Sequence, residues 1–371
     1  MRANSAFREE PLRLTSVGVL LHAEYLDFHL SDESESVTAG EYRYRAAWWL
    51  PGAHAQTIWG RFARRAHPIH TEMECVRTPD GDSLELHHVA AAPAAPRILL
   101  LHGLEGSPQS HYVGGILAGA RVRGWGVTLM VFRGCGSTPN LARRFYHSGE
   151  TTDLALVYQT LSTRWPDCSW LLAGVSLGGN VLLKWLGERD GDVDGRIRAA
   201  AVVSVPYDLE AGAIRISRGS ARIYDRRFLS SLRRKALAKL ERYPDLFDRG
   251  ALERARSVFE FDEAVTAPVH GFSSAHDYYQ QSSSLRFLSR VKVPTLLLSA
   301  ADDPFLPSEV LERVANVAAT NPALLVEFHE RGGHVGFVSG AVPWRPLYYA
   351  ERRVLQHFDA MMEQALGRRY D

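Results

Sequence analysis

From His70 onward, apolar and polar positions fall into two alternating periods. Residues 71–77 and 83–89 flank Pro79-Asp80-Gly81-Asp82, a pattern that predicts a β-hairpin. After a small-residue loop at 90–96, residues 97–102 form a short, mostly apolar run suited to a strand buried on both faces. A helix is predicted over 112–123 and a strand over 125–132. Ser148-Gly149-Glu150-Thr151 then opens a helix with hydroxyl and acidic residues and carries it to Arg164. Further strands are predicted at 171–175, 197–205 (stopped by Pro206), 295–299 and 324–329. Helices follow at 307–320 and 344–366, the last with Leu355, Phe358, Met361, Met362 and Leu366 on one face. Strands alternating with helices imply an α/β fold with a mostly parallel, doubly wound sheet.

Two stretches break the rhythm. Between Pro206 and Val293, Phe228, Leu229, Leu232, Leu237 and Leu240 recur at near-helical spacing among Arg and Lys, which predicts an inserted helical segment over about 207–292. Residues 1–40, with the acidic run Ser31-Asp32-Glu33-Ser34-Glu35-Ser36, are expected to form a peripheral, poorly ordered extension to a domain spanning 41–371. At 371 residues, one α/β domain with an insertion is the economical reading. A net charge of +1 gives no global reason to expect a nucleic-acid partner. Cys75, Cys135 and Cys168 suit a reducing compartment, and their spacing fits no metal site. With neither a membrane-length apolar run nor a signal-peptide cleavage pattern, a cytoplasmic protein is expected.

The chemistry is concentrated at Leu171-Leu172-Ala173-Gly174-Val175-Ser176-Leu177-Gly178-Gly179-Asn180. An apolar run ends at Gly-x-Ser-x-Gly and a helical stretch follows at once, the pattern of a nucleophile elbow. Such a pentapeptide recurs by chance, and an ordinary strand-to-helix turn would also explain it, so the other members must be found in order. A serine hydroxyl needs a neighbouring base. The strand at 295–299 runs into Asp302-Asp303-Pro304-Phe305-Leu306-Pro307. Asp303 is preferred because the following Pro304 makes the turn towards the next helix, with Asp302 bracing that turn. His334 lies on the glycine-rich loop Gly332-Gly333-His334-Val335-Gly336, and His329, on or just past the strand, is its rival. Of the fifteen histidines, His87 and His88 read as packing or surface residues. Backbone N–H groups of Leu177 and of Leu104, in His102-Gly103-Leu104-Glu105-Gly106, would form the oxyanion hole. The chemistry asks for no metal and no cofactor.

Five stretches resemble the YheT-like branch of the α/β-hydrolases, which includes eukaryotic α/β-hydrolase-domain esterases and lipases. They are Leu50-Pro51-Gly52-Ala53-His54-Ala55-Gln56-Thr57-Ile58, the His102–Gly106 loop, Phe132-Arg133-Gly134-Cys135-Gly136, Tyr146-His147-Ser148-Gly149-Glu150-Thr151, and Gly332-Gly333-His334-Val335-Gly336-Phe337. The resemblance runs from about Trp49 to the C-terminus. It implies an α/β-hydrolase fold with an eight-stranded, mostly parallel sheet, a helical cap insertion and a Ser176, Asp303, His334 triad acting on small-molecule or lipid-derived carboxylic esters. Phospholipase, monoacylglycerol lipase and alcohol acyltransferase chemistry would use the same triad, and a ligand-binding protein on this fold is a further alternative. Ala55 departs from the large aliphatic residue usual in the first motif and is expected to loosen packing near the entrance. His54, His147 and Glu150 are read as structural, bridging loops or capping the helix after Ser148, and Cys135 as a packing residue.

The insert concentrates Arg215, Arg218, Arg222, Arg226, Arg227, Arg233, Arg234, Lys235, Lys239 and Arg242 against Asp225 and Glu241. A solvated helix whose arginines pair with acids elsewhere is preferred. Peripheral contact with an anionic membrane is the alternative.

Overall fold

Short runs of β-branched and aliphatic residues build the centre of the molecule. β1 (Glu72–Arg77) and β2 (Ser83–Val89) form the expected hairpin. They are followed by β3 (Arg97–Leu101), β4 (Gly126–Val131), β5 (Trp170–Val175), β6 (Ile197–Val203), β7 (Thr295–Ala300) and β8 (Leu324–His329). The computed structural model describes residues 43–64 and 69–367, so the expected extension over 1–40 lies outside the described residues. The eight strands form one sheet in the order β1-β2-β4-β3-β5-β6-β7-β8. β1–β2 and β2–β4 pair antiparallel, and every pair from β4 to β8 is parallel. The mostly parallel, eight-stranded α/β sheet is therefore as expected.

Side chains alternate across this sheet with period two. In β3, Leu99 and Leu101 face one core with Trp170 and Leu172 of β5. Ile98 and Leu100 face the other with Leu171, Ala173 and Val175. The helices Thr152–Arg164 and Leu177–Glu188 cover the first face. Val113–Val122 and Tyr349–Gly367 cover the second, the latter through Val354, Leu355 and Phe358. The terminal helix starts at Tyr349 rather than near 344. The residues before it form a short hairpin, β9 (Val338–Ser339) with β10 (Leu347–Tyr348). The strand predicted to reach 205 ends at Val203, because Ser204 takes φ 52° and turns the chain out of the sheet.

Between β6 and β7 the chain makes the helices Leu209–Ile216, Arg222–Arg242 and Ala275–Ser282 with shorter helical turns between them. This segment has its own small core of Leu229, Ala236, Leu240, Phe247, Leu252 and Phe261. Sequence reading did not anticipate the helix Ala53–Phe62, which carries most of the first family motif. Its Ala55 packs with Trp49 and Trp59 around Ala47, Leu50 and Val338.

The third motif has a packing role. Arg133 is fully buried, and its guanidinium meets both oxygens of Asp153 at 2.7 Å and Asp82 at 3.0 Å. Asp82 in turn takes the amides of Ser83, Leu141 and Ala142. One buried cation thus ties the β1–β2 turn to the helix Thr152–Arg164. Arg133→Met would remove the buried countercharge of Asp82 and the two-pronged partner of Asp153, leaving Asp153 only Arg144, and should cost ~3–5 kcal/mol of stability, read as a lower urea midpoint. Arg133→Met/Asp153→Leu should recover part of that loss.

Candidate active site

Three side chains meet at the carboxyl edge of the sheet, where open α/β sheets place their ligands. Ser176 sits between β5 and the helix Leu177–Glu188, with φ 52° and ψ −121°. A non-glycine residue holds such a backbone only when its surroundings impose it. They do so here by close approach. A Cβ on Gly178 would lie 2.5 Å from the His102 carbonyl, and one on Gly174 2.6 Å from Gly179 Cα. His334 Nε2 lies 2.9 Å from Ser176 Oγ, and His334 Nδ1 lies 2.8 Å from Asp303 Oδ2. A proton held on Nδ1 by the carboxylate leaves Nε2 free to accept from the hydroxyl.

The structure separates the two aspartates. Asp303 also takes the Phe305 amide at 2.8 Å and so braces its own turn. Asp302, expected to brace that turn, instead takes the Gly333 amide at 2.8 Å and anchors the histidine loop. His329 stays on β8, 3.1 Å from Glu327 and packed against Tyr44. His87 and His88 bond to Glu85 and Glu74 in the hairpin.

The loop after β3 lies against the serine, and a Cβ on Gly103 would come 3.1 Å from Ser176 Cβ. Its amides are divided. Gly103 N–H donates to Tyr112 Oη at 2.9 Å and Glu105 N–H to Tyr146 Oη at 3.1 Å. Among the described residues, the Leu104 and Leu177 amides have no protein acceptor. His102 sets the loop. Its Nδ1–H donates to the Gly103 carbonyl at 2.7 Å, and its Nε2 accepts the Phe132 amide at 3.1 Å. Burial pushes His102 down to about 4 and keeps it neutral.

A profile of the alpha/beta hydrolase fold matches residues 96–341. YheT of Escherichia coli (strain K12), an esterase by name, is 36% identical over 306 residues, 81% of this chain and 88% of its own. The chain belongs to the YheT-like branch of the α/β-hydrolase family. Phospholipase ABHD3 of Mus musculus is 29% identical to this hydrolase over 324 residues, 85% of this chain and 78% of its own. The solved structure of DcsB in complex with its substrate analogue shares the fold. Its TM-score is 0.51 at 16% identity, covering 79% of this chain and 99% of that one.

The remaining motifs of this hydrolase acquire physical roles. Glu150 caps the helix Thr152–Arg164, taking the amides of Thr152 at 2.7 Å and Asp153 at 3.3 Å. His147 accepts the Gly149 amide at 3.1 Å and packs 4.4 Å from the His270 ring of the insert. His54 bridges to the insert, 2.8 Å from Ser220 Oγ and 3.0 Å from Tyr224 Oη. Glu150 thus caps a helix and His54 bridges two segments, the kinds of contact expected of them.

Several positioning residues escaped sequence reading. Thr57 Oγ1 takes the His334 amide at 2.9 Å, Ser204 Oγ takes that of Val335 at 3.0 Å and Gln56 Oε1 that of Val338 at 2.8 Å. Phe305 stacks on the His334 ring with centroids 4.0 Å apart, and Tyr224 and Phe228 of the insert pack against Phe305. Asn180 is fully buried and spends its amide on the Ser148 and Ser282 carbonyls, both at 2.8 Å.

Glu105 is a further positioning residue that nothing in its local sequence marks. Its carboxylate accepts from Tyr146 Oη at 2.7 Å, Lys235 Nζ at 2.7 Å and the Ser231 hydroxyl. Burial opposes its ionisation. Lys235 and these hydrogen bonds outweigh that effect and hold the carboxyl below its usual range. Cys135 lies 3.4 Å from Lys235 Nζ, and burial pushes its thiol up to about 11.

A pH dependence of stability follows. Burial lowers His102 and His357 to about 4, against about 6.5 in the unfolded chain. The unfolded chain therefore takes up protons first as pH falls, so these sites stabilise fully above pH ~6.5 and lose that contribution towards pH ~4. The loss is up to ~1.4 kcal/mol per pH unit and site. The urea midpoint should fall between pH 7.5 and pH 5, and more shallowly in His357→Leu, which lies away from Ser176.

Proposed function

We propose that this hydrolase is a serine carboxylesterase that cleaves small or lipid-derived carboxylic esters through an acyl-enzyme on Ser176. The observation that carries the reading is the single imidazole of His334 bridging Ser176 Oγ and Asp303 at 2.9 and 2.8 Å. The phospholipase name of the mouse relative favours lipid esters within that class.

In this mechanism His334 Nε2 takes the hydroxyl proton as Ser176 Oγ attacks the ester carbonyl. The carbonyl oxygen becomes an oxyanion held by the Leu104 and Leu177 amides. The imidazolium then returns the proton to the departing alcohol as the C–O bond breaks. Water enters, gives its proton to His334 and releases the acid with Ser176 regenerated. Asp303 keeps the imidazole in the required tautomer and stabilises its charged form. The helix Leu177–Glu188 directs its positive end at the oxyanion. The insert over 207–292 caps the entrance, with Tyr224 and Phe228 holding Phe305 over the histidine ring.

Ser176→Ala should lower p-nitrophenyl ester turnover by ~10⁵–10⁶-fold and abolish fluorophosphonate labelling, with the circular dichroism spectrum unchanged. Asp303→Asn should cost ~10⁴-fold. Asp302→Asn acts through loop placement and should cost no more than ~10²-fold. Turnover retained in Ser176→Ala, or equal losses at the two aspartates, would remove this reading.

A further inference from the structure

A strongly charged surface lies on the helix Arg222–Arg242, which holds eight Lys and Arg and two acids in a chain of net charge +1. The two sides of this helix differ in kind. On the side facing the sheet domain, both lysines are spent. Lys235 pairs with Glu105 at 2.7 Å, and Lys239 Nζ donates to the Asn140 and Ala142 carbonyls at 2.9 and 2.5 Å. Asp225 is buried and accepts the Val258 amide at 2.8 Å.

On the other side Arg222, Arg226, Arg233 and Arg234 line a groove of about 730 Å³, joined by Arg256 from the chain that follows. The preferred reading of a solvated helix paired with acids elsewhere holds for Lys235, which meets Glu105, whereas Arg222, Arg226, Arg233 and Arg234 lack the acidic partners expected of them. Arg233 donates to the Ala255 carbonyl, and Arg234 comes 3.5 Å from Ser231 Oγ. Among the described residues, none of the five forms an ion pair. Glu241 is the only acid in the lining, and nearby Glu260 is turned to the Arg256 backbone amide at 2.5 Å. Leu229, Leu237, Ala238 and Ala255 supply an apolar floor.

Five guanidiniums around one concavity repel one another unless anions sit between them, and guanidinium matches phosphate geometry. A second observation narrows the choice of anion. Ile223 is 69% exposed and lies three residues before Arg226 and four before Arg227, on the same side of the helix. An aliphatic side chain amid arginines has nothing to gain from a free phosphate in water. It gains from burial below a layer of phosphate headgroups. Tyr224, the next residue, packs 4.9 Å from Phe305, the ring that covers His334. The basic face therefore borders the site described above.

We propose that the outer face of the helix Arg222–Arg242 docks the protein on anionic phospholipid surfaces, the arginines engaging headgroup phosphates and Ile223 entering the acyl boundary. The inference rests on the charge and shape of this face and does not require the ester-hydrolysis reading.

The full chain should co-sediment with vesicles of equal parts phosphatidylserine and phosphatidylcholine, not with phosphatidylcholine alone, and should be released by salt. Arg226→Gln/Arg233→Gln/Arg234→Gln should weaken partitioning about a hundredfold, from about 1 kcal/mol for each charge near such a surface. Ile223→Ser should weaken it further at high salt. The circular dichroism spectrum and urea midpoint should be unchanged in these variants, which shows that they fold, and turnover of a soluble p-nitrophenyl ester should be unchanged as well. Ser176→Ala should bind vesicles as the parent does, so failure of the docking idea is separable from failure of the esterase reading. Equal binding to both vesicle types, or undiminished binding by the triple variant, would overturn the proposal. Binding of inositol hexakisphosphate without vesicle binding would overturn it in favour of a soluble polyphosphate ligand.

Discussion

The site depends on how the loop after β8 is held. An imidazole can bridge Ser176 and Asp303 only if its backbone is fixed to within a fraction of an ångström. Four amides of that loop and the strand it enters are captured by side chains from other parts of the chain. Asp302 takes Gly333, Thr57 takes His334, Ser204 takes Val335 and Gln56 takes Val338. Gly333 has φ 61°, and a Cβ there would lie 2.4 Å from the Ala53 carbonyl, so the helix Ala53–Phe62 can approach only because that residue is glycine. This arrangement gives a physical reason for the first family motif, which contributes Gln56 and Thr57 and no reacting group of its own.

The opposite wall of the site follows the same rule through a different interaction. Leu104 is held between His102, locked neutral across the ends of β3 and β4, and Glu105, locked ionised against Lys235 and Tyr146. The free Leu104 amide is thus bounded by one buried base that does not take a proton and one buried acid that does not keep one. Because Lys235 belongs to the insert, the orientation of this amide and the seating of the helix Arg222–Arg242 are mechanically linked.

Much of this was legible in the sequence. Period-two and wholly apolar runs located the strands of the central sheet, because a strand buried on both faces tolerates little else. Ser176, Asp303 and His334 could be named because each lies within a few residues past a strand that ends at the same sheet edge. The positioning residues could not. Thr57, Ser204 and Asn180 are ordinary polar residues whose roles depend on partners 32 to 277 residues away, and nothing local marks them. The roles of Asp302 and Asp303 divided differently than expected because Asx–Pro turn chemistry describes the turn itself, whereas Asp302 is used across loops. A nearly neutral chain leads one to expect that the arginines of the insert find acidic partners. Charge balance over a chain does not imply balance over one helix face.

The backbone of Ser176 has a consequence for which residues this position can host. Threonine offers the same hydroxyl and almost the same acidity. At φ 52°, however, a β-branched side chain is a true outlier, and its extra methyl would press on a neighbourhood already closed by Gly103. The turn therefore filters its occupant by shape before any question of reactivity arises. An unbranched side chain is the condition of entry, and the hydroxyl is the second requirement.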